Sequence, residues 1–162
     1  MLLGSRKTLL ADRWRRKHGG RLRRWVHAEP DLPGVCTGRT GHAEIVRVIY
    51  DPQKVSFEDL IRTFFEAHDP TQGFRQGNDV GTQYRSVIYA QTDDEVQKAR
   101  EIAASFSHSL ADAGYGDTTT EISLLSGTPT KTMYLAEDEH QQYLDKNPNG
   151  YCPVHSTGVA CR

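Results

Sequence analysis

A two-layer α/β sandwich, with helices packed over one sheet, is the fold this sequence predicts. Three observations carry it. Strand-like and helix-like segments follow one another in the order strand, helix, strand, helix, strand. Both main helical segments open on capping-box signals. The 162 residues, 36% apolar and 25% charged, amount to one domain of soluble, globular character.

The elements read in order from Cys36. "EIVRVIYD" alternates, with Glu44, Val46, Val48 and Tyr50 on one face and Ile45, Arg47 and Ile49 on the other, as a strand does. "VSFEDLIRTFFEAHDP" is a helix: Ser56 caps it, Asp59 sits at the capping-box position, and Phe57, Leu60, Ile61, Phe64 and Phe65 form one stripe. Asp69-Pro70 stops it. A polar loop, "TQGFRQGNDVGTQ", leads to the strand "YRSVIYA". Thr92 and Glu95 open a second helix, with Val96, Ala99, Ala103, Phe106 and Leu110 facing inward and an end near Gly114. "TEISLL" reads as another strand, and "AEDEHQQYLDK" as a short helix closed by the turn "NPNG".

The net charge of −1 is unevenly spread: residues 1–35 hold nine Lys/Arg against three Asp/Glu. "RWRRKHGGRLRRW" fits a basic arm for nucleic acid with Trp14 and Trp25 as stacking residues, or an Arg-rich transit peptide. It fits equally a stretch that is not evolved protein, since no apolar period runs through it. No apolar run reaches the length of a membrane span, and "MLLGSRKTLL" lacks the order of a secretory signal. Three cysteines form no disulfide framework; they fit an intracellular protein with working thiols.

Several groups could carry chemistry. Glu44 is either a solvated carboxylate at a sheet end or an inward acid kept protonated, able to donate to a substrate oxygen. The loop "RQGNDVGTQYRS" is long and rich in Gly, Asn and Asp, with Asp79 and Tyr84 as hydrogen-bonding groups. Cys152, His155 and Cys161 are three soft ligands where zinc takes four. His42, His68, His108 and His140 are scattered through the chain. A thiol relay on a tail swinging about Gly150 and Gly158 is the better reading.

"CTGRTGHAEIVRVIYDP", "FFEAHDPTQGFRQGNDVGTQYRS" and "AEDEHQQYLDKNPNGYC" together resemble, in order, the A-type peptide methionine sulfoxide reductases over roughly residues 36–161. The resemblance implies an α+β two-layer sandwich with a mixed sheet, and thiol-dependent reduction of the S epimer of methionine sulfoxide, free or in proteins. It implies protein repair under oxidative stress in the cytoplasm, by a monomer without cofactor or metal, with thioredoxin as reductant and neither nucleic acid nor membrane as partner. By resemblance Glu44 protonates or hydrogen-bonds the sulfoxide oxygen, Tyr84 donates a second bond, and Asp79 organises the polar network. Cys152 is then the resolving thiol, and Cys161 passes the disulfide on.

One part of the pattern is missing. The family nucleophile sits in Gly-Cys-Phe-Trp-Gly at a helix N-terminus, which lowers a thiol pKa. That stretch does not occur in these residues, nor do the first strand and helix or a second pocket tyrosine, where Leu32 stands. Cys36, on the approach to Glu44, is no substitute. The chain as written is therefore expected to be inactive, and a non-catalytic module that binds oxidised methionine is the alternative. Residues 1–35 are expected to be an out-of-frame translation. Read one base later, Met1-Leu2 gives a cysteine codon whichever leucine codon is used. Synonymous choices then permit Cys-Phe-Trp-Gly at the start and tyrosine at codon 32. Trp14 before Arg15 and Trp25 before Val26 force glycine in that frame, where the family favours it.

Overall fold

The computed structural model describes residues 20–23, 41–127, 133–136, 138 and 140–162. Strand β1 is Gly20–Arg23 and strand β2 is Ala43–Val46; they pair antiparallel, with Leu22 opposite Glu44. The extended run expected to reach Asp51 stops at Val46. Beyond it Val48 and Ile49 are 37% and 54% exposed, so no buried face holds the chain in a strand. Asp51 instead organises a turn, accepting from the Gln53 N–H at 3.0 Å and pairing with Lys54.

Helix α1, Phe57–Glu66, has the expected start. Ser56 Oγ accepts from the Asp59 N–H at 3.1 Å, and the Asp59 carboxylate reaches back to the Ser56 backbone. Helix α2, Asp93–Asp112, repeats the device with Thr92 and Glu95. Each such cap stabilises by about 1 kcal/mol. Ile61 and Phe65 of α1 meet Ala99, Ile102, Ala103, Phe106 and Leu110 of α2 in one buried cluster. At its centre the Phe65 and Phe106 rings lie 5.5 Å apart. Val96, Ala99, Ala103, Phe106 and Leu110 are all buried, as their spacing predicts.

The polar loop "TQGFRQGNDVGTQ" contains a hairpin, a finding its sequence pattern does not predict. Strands β3, Arg75–Gln76, and β4, Asp79–Val80, pair antiparallel across Gly77-Asn78. A 3-10 turn, Thr82–Tyr84, leads into β5, Val87–Ala90, which pairs in parallel with β6, Glu121–Leu124. Helix α2 is the crossover a parallel pair requires, and it packs on both strands. Strand β7, Met133–Leu135, pairs with β1, so β1 is central in the order β2-β1-β7. Of the predicted helix "AEDEHQQYLDK", only α3, Tyr143–Lys146, is helical among the described residues.

Helices over mixed pairing match the expected α+β fold. The single sheet does not: among the described residues the strands form three separate sheets. A strand in residues 1–35 was also unexpected. Ladder bonds use backbone groups common to every residue, so a stretch without apolar alternation can still fill a sheet position. Apart from β1, residues 1–40, with Trp14, Trp25, Leu32 and Cys36, lie outside the described residues.

Candidate active site

Glu44 lies in β2 and is partly buried, as is Tyr84 at the end of the 3-10 turn. The turn packs against both β2 and β3. Arg85 joins the two neighbourhoods. Its Nη1 donates to the carbonyls of Thr82, at 2.7 Å, and His42, at 3.1 Å; Nη2 donates to the Gly41 carbonyl at 3.3 Å. Its Nε pairs with the Glu121 carboxylate at 3.1 Å.

Asp79 occupies the hairpin strand next to this turn. Its carboxylate accepts from the Tyr151 hydroxyl at 3.1 Å, which seats Cys152 beside the hairpin. Partial desolvation and the Asp79 carboxylate push the Tyr151 hydroxyl above its ordinary range. On the other side of Cys152, the Pro153 carbonyl lies against Gly77, at a distance no side chain would permit. Gly77 also adopts a φ of +58°, so this position needs glycine twice over: once for the turn and once for the close approach. Cys152 is a partly buried free thiol held between these two contacts.

Cys161 is elsewhere. It is 5% exposed and belongs to the apolar cluster of Ile61, Phe65, Phe106 and Leu110. Desolvation, reinforced by the Glu66 carboxylate, pushes its thiol up to about 11. Its N–H donates to Glu66 Oε1 at 2.8 Å, and Ser156 Oγ donates to the Glu66 carbonyl at 2.6 Å. Tyr115 and Ser105 hold the Thr157 and Arg162 carbonyls. The freely swinging tail expected from Gly150 and Gly158 is thus corrected to a docked strap. Gly150 serves packing, since a Cβ there would collide with the Tyr143 ring.

The structure therefore gathers Asp79 and Cys152 around Tyr151, links the Glu44 and Tyr84 segments through Arg85, and leaves Cys161 in the helical core. Arg85, Tyr151 and Glu66 went unmarked in the sequence; the only hint was adjacency to Tyr84 and Cys152 for the first two. His155 is exposed, and no three His, Cys, Asp or Glu side chains converge as metal ligands among the described residues. No helix among them is long and apolar enough to cross a membrane.

Residues 26–160 match the family described as peptide methionine sulfoxide reductase. The peptide methionine sulfoxide reductase MsrA of Corynebacterium kroppenstedtii is 92% identical over 133 residues, which are 82% of this chain and 60% of that protein. Methionine sulfoxide reductase A of Corynebacterium diphtheriae, a solved structure, superposes with a TM-score of 0.78 at 53% identity, covering 90% of this chain and 70% of that one. Reduced Mxr1 of Saccharomyces cerevisiae gives 0.70 at 33% identity, covering 86% and 76%. The chain thus spans about 60% of the length of the C. kroppenstedtii relative. It belongs to the peptide methionine sulfoxide reductase family.

Proposed function

We propose that this chain carries the sulfoxide-recognising and thiol-relay parts of a methionine (S)-sulfoxide reductase, and that its nucleophilic cysteine lies in the shifted reading frame of residues 1–35. The observation that carries this reading is the Tyr151–Asp79 bond, which keeps Cys152 beside the polar loop holding Asp79 and Tyr84. Glu44 and Tyr84 hydrogen-bond the sulfoxide oxygen and draw electron density from sulfur. A thiolate from the missing segment attacks that sulfur, and methionine leaves as the oxygen passes to the thiol as a sulfenic acid. Cys152 then attacks the sulfenic sulfur, forming a disulfide and releasing water. Cys161 attacks Cys152 Sγ, which frees the nucleophile and leaves a Cys152–Cys161 disulfide for an external dithiol such as thioredoxin.

The docked strap adds a step to this relay. In its place Cys161 is buried in the apolar cluster of α1 and α2 with its thiol pushed up, so the strap undocks before exchange. Without the nucleophile, these residues recognise the sulfoxide and do not turn it over. The test is a titration with the two epimers of N-acetyl-methionine sulfoxide methylamide, followed by the ring resonances of Tyr84. The S epimer is expected to shift them and the R epimer to bind more weakly. Equal response to both, or none, would contradict the assignment.

A further inference from the structure

Glu44 and Tyr84 come from segments forty residues apart, and their relative placement needs a physical cause. Among the described residues strand β2 is the outer strand of β2-β1-β7, so the ladder that holds it there runs to β1. Arg85 ties it to the turn that bears Tyr84 as well. Its side chain is only 12% exposed. One guanidinium holds the Gly41 and His42 carbonyls, which lead into β2, and the Thr82 carbonyl, which opens the Tyr84 turn. Glu121 at the head of β6 fixes the plane of the group through Nε, and the Tyr89 hydroxyl accepts at 3.4 Å from Nη2. A guanidinium presents five donors in a rigid fork, so the directions of its bonds set the spacing of the carbonyls they hold.

We propose that Arg85 is the positioning residue of this site: its fork fixes the segment carrying Glu44 against the turn carrying Tyr84. The functional part of this inference rests on the sulfoxide-recognition reading above. The bonds are charge-assisted and sheltered from water, the setting in which each contributes most. Lysine keeps the charge but is a point donor, and it cannot span carbonyls from two segments while also meeting Glu121. A purely electrostatic role would survive that exchange; a geometric one would not.

The experiment compares the unmutated chain with Arg85→Lys and Arg85→Ala, using two readouts. Amide hydrogen exchange over Ala43–Val46 needs no substrate. We expect it to accelerate about tenfold or more in both variants, the scale of one lost charge-assisted bond. Protected amides of α1 and α2 are expected to stay unchanged, which shows that the variants remain folded. The second readout is S-sulfoxide affinity, expected to fall about tenfold in Arg85→Lys and to recover in Arg85→Ala when guanidinium ion is added far below denaturing concentration. Unchanged exchange at Ala43–Val46 in Arg85→Lys overturns the proposal, as does unchanged affinity. If the unmutated chain binds no sulfoxide, the recognition reading fails, and the exchange readout alone decides the clamp: acceleration supports it and constancy overturns it.

Discussion

His68 is 3% exposed, and its neighbours fix where its proton sits. Nδ1 lies 2.7 Å from the Phe64 carbonyl, which can only accept, so Nδ1 carries the hydrogen. A neutral ring then leaves Nε2 to accept from Ser86 Oγ at 2.8 Å, and Ser86 in turn accepts from Thr120 Oγ1 at 2.8 Å. Desolvation lowers the ring from 6.5 to about 4, which keeps it neutral in this chain of bonds. The unfolded chain binds a proton at His68 below pH 6.5 while the folded one does not, so stability falls as pH drops from 6.5 to 4. The loss is on the order of 3 kcal/mol. Denaturant titrations across that window should show the decline, and His68→Gln, though less stable at pH 7, should be nearly flat there. Asp59 and Asp69 are held below their ordinary range, so their losses come at more acid pH. At this scale the sequence marks Asp79 and Tyr84 by motif, but it does not mark Arg85 or Tyr151. Their partners are 43 and 72 residues away, and no local pattern carries such a contact.

The helices were the most legible elements, because caps and stripes are local: Ser56 with Asp59, and Thr92 with Glu95, define their starts within four residues. The hairpin was legible in principle, since Gly77-Asn78 between paired residues is a turn signal, but its two-residue strands are too short to show alternation. The strap was not legible. Its glycines suggest freedom, whereas its position depends on Glu66, far back in α1. That dependence can be measured by thiol labelling with mass mapping. With its thiol at about 11, Cys161 is ionised in roughly one molecule in a thousand at pH 8, so it should label at least about tenfold more slowly than Cys152. Glu66→Ala removes the acceptor of the Cys161 N–H and should raise the Cys161 rate severalfold while leaving Cys152 unchanged. Equal rates for the two thiols in the unmutated chain would show that the strap is not docked in solution.

For the molecule as a whole, the fold and the family agree, while the chemistry proposed for the site needs a thiol that the described residues do not place. Of the three cysteines, Cys161 is sunk in the α1–α2 core, and Cys152 sits beside the β3–β4 hairpin, next to the Tyr151–Asp79 bond. Cys36 lies outside the described residues. We propose that the codons at the start of the chain supply the missing cysteine in another frame; the family match begins at residue 26, and the Arg-rich stretch without apolar period lies before it. The direct test is turnover. Dabsylated methionine (S)-sulfoxide is incubated with a dithiol reductant and either the chain as written or a version translated in the shifted frame and rejoined before Cys36 by one restored base. No turnover by the chain as written is expected above a Cys36→Ser, Cys152→Ser, Cys161→Ser control, and clear turnover is expected from the frame-restored protein. Turnover by the chain as written, or none after restoration, would contradict the reading-frame proposal.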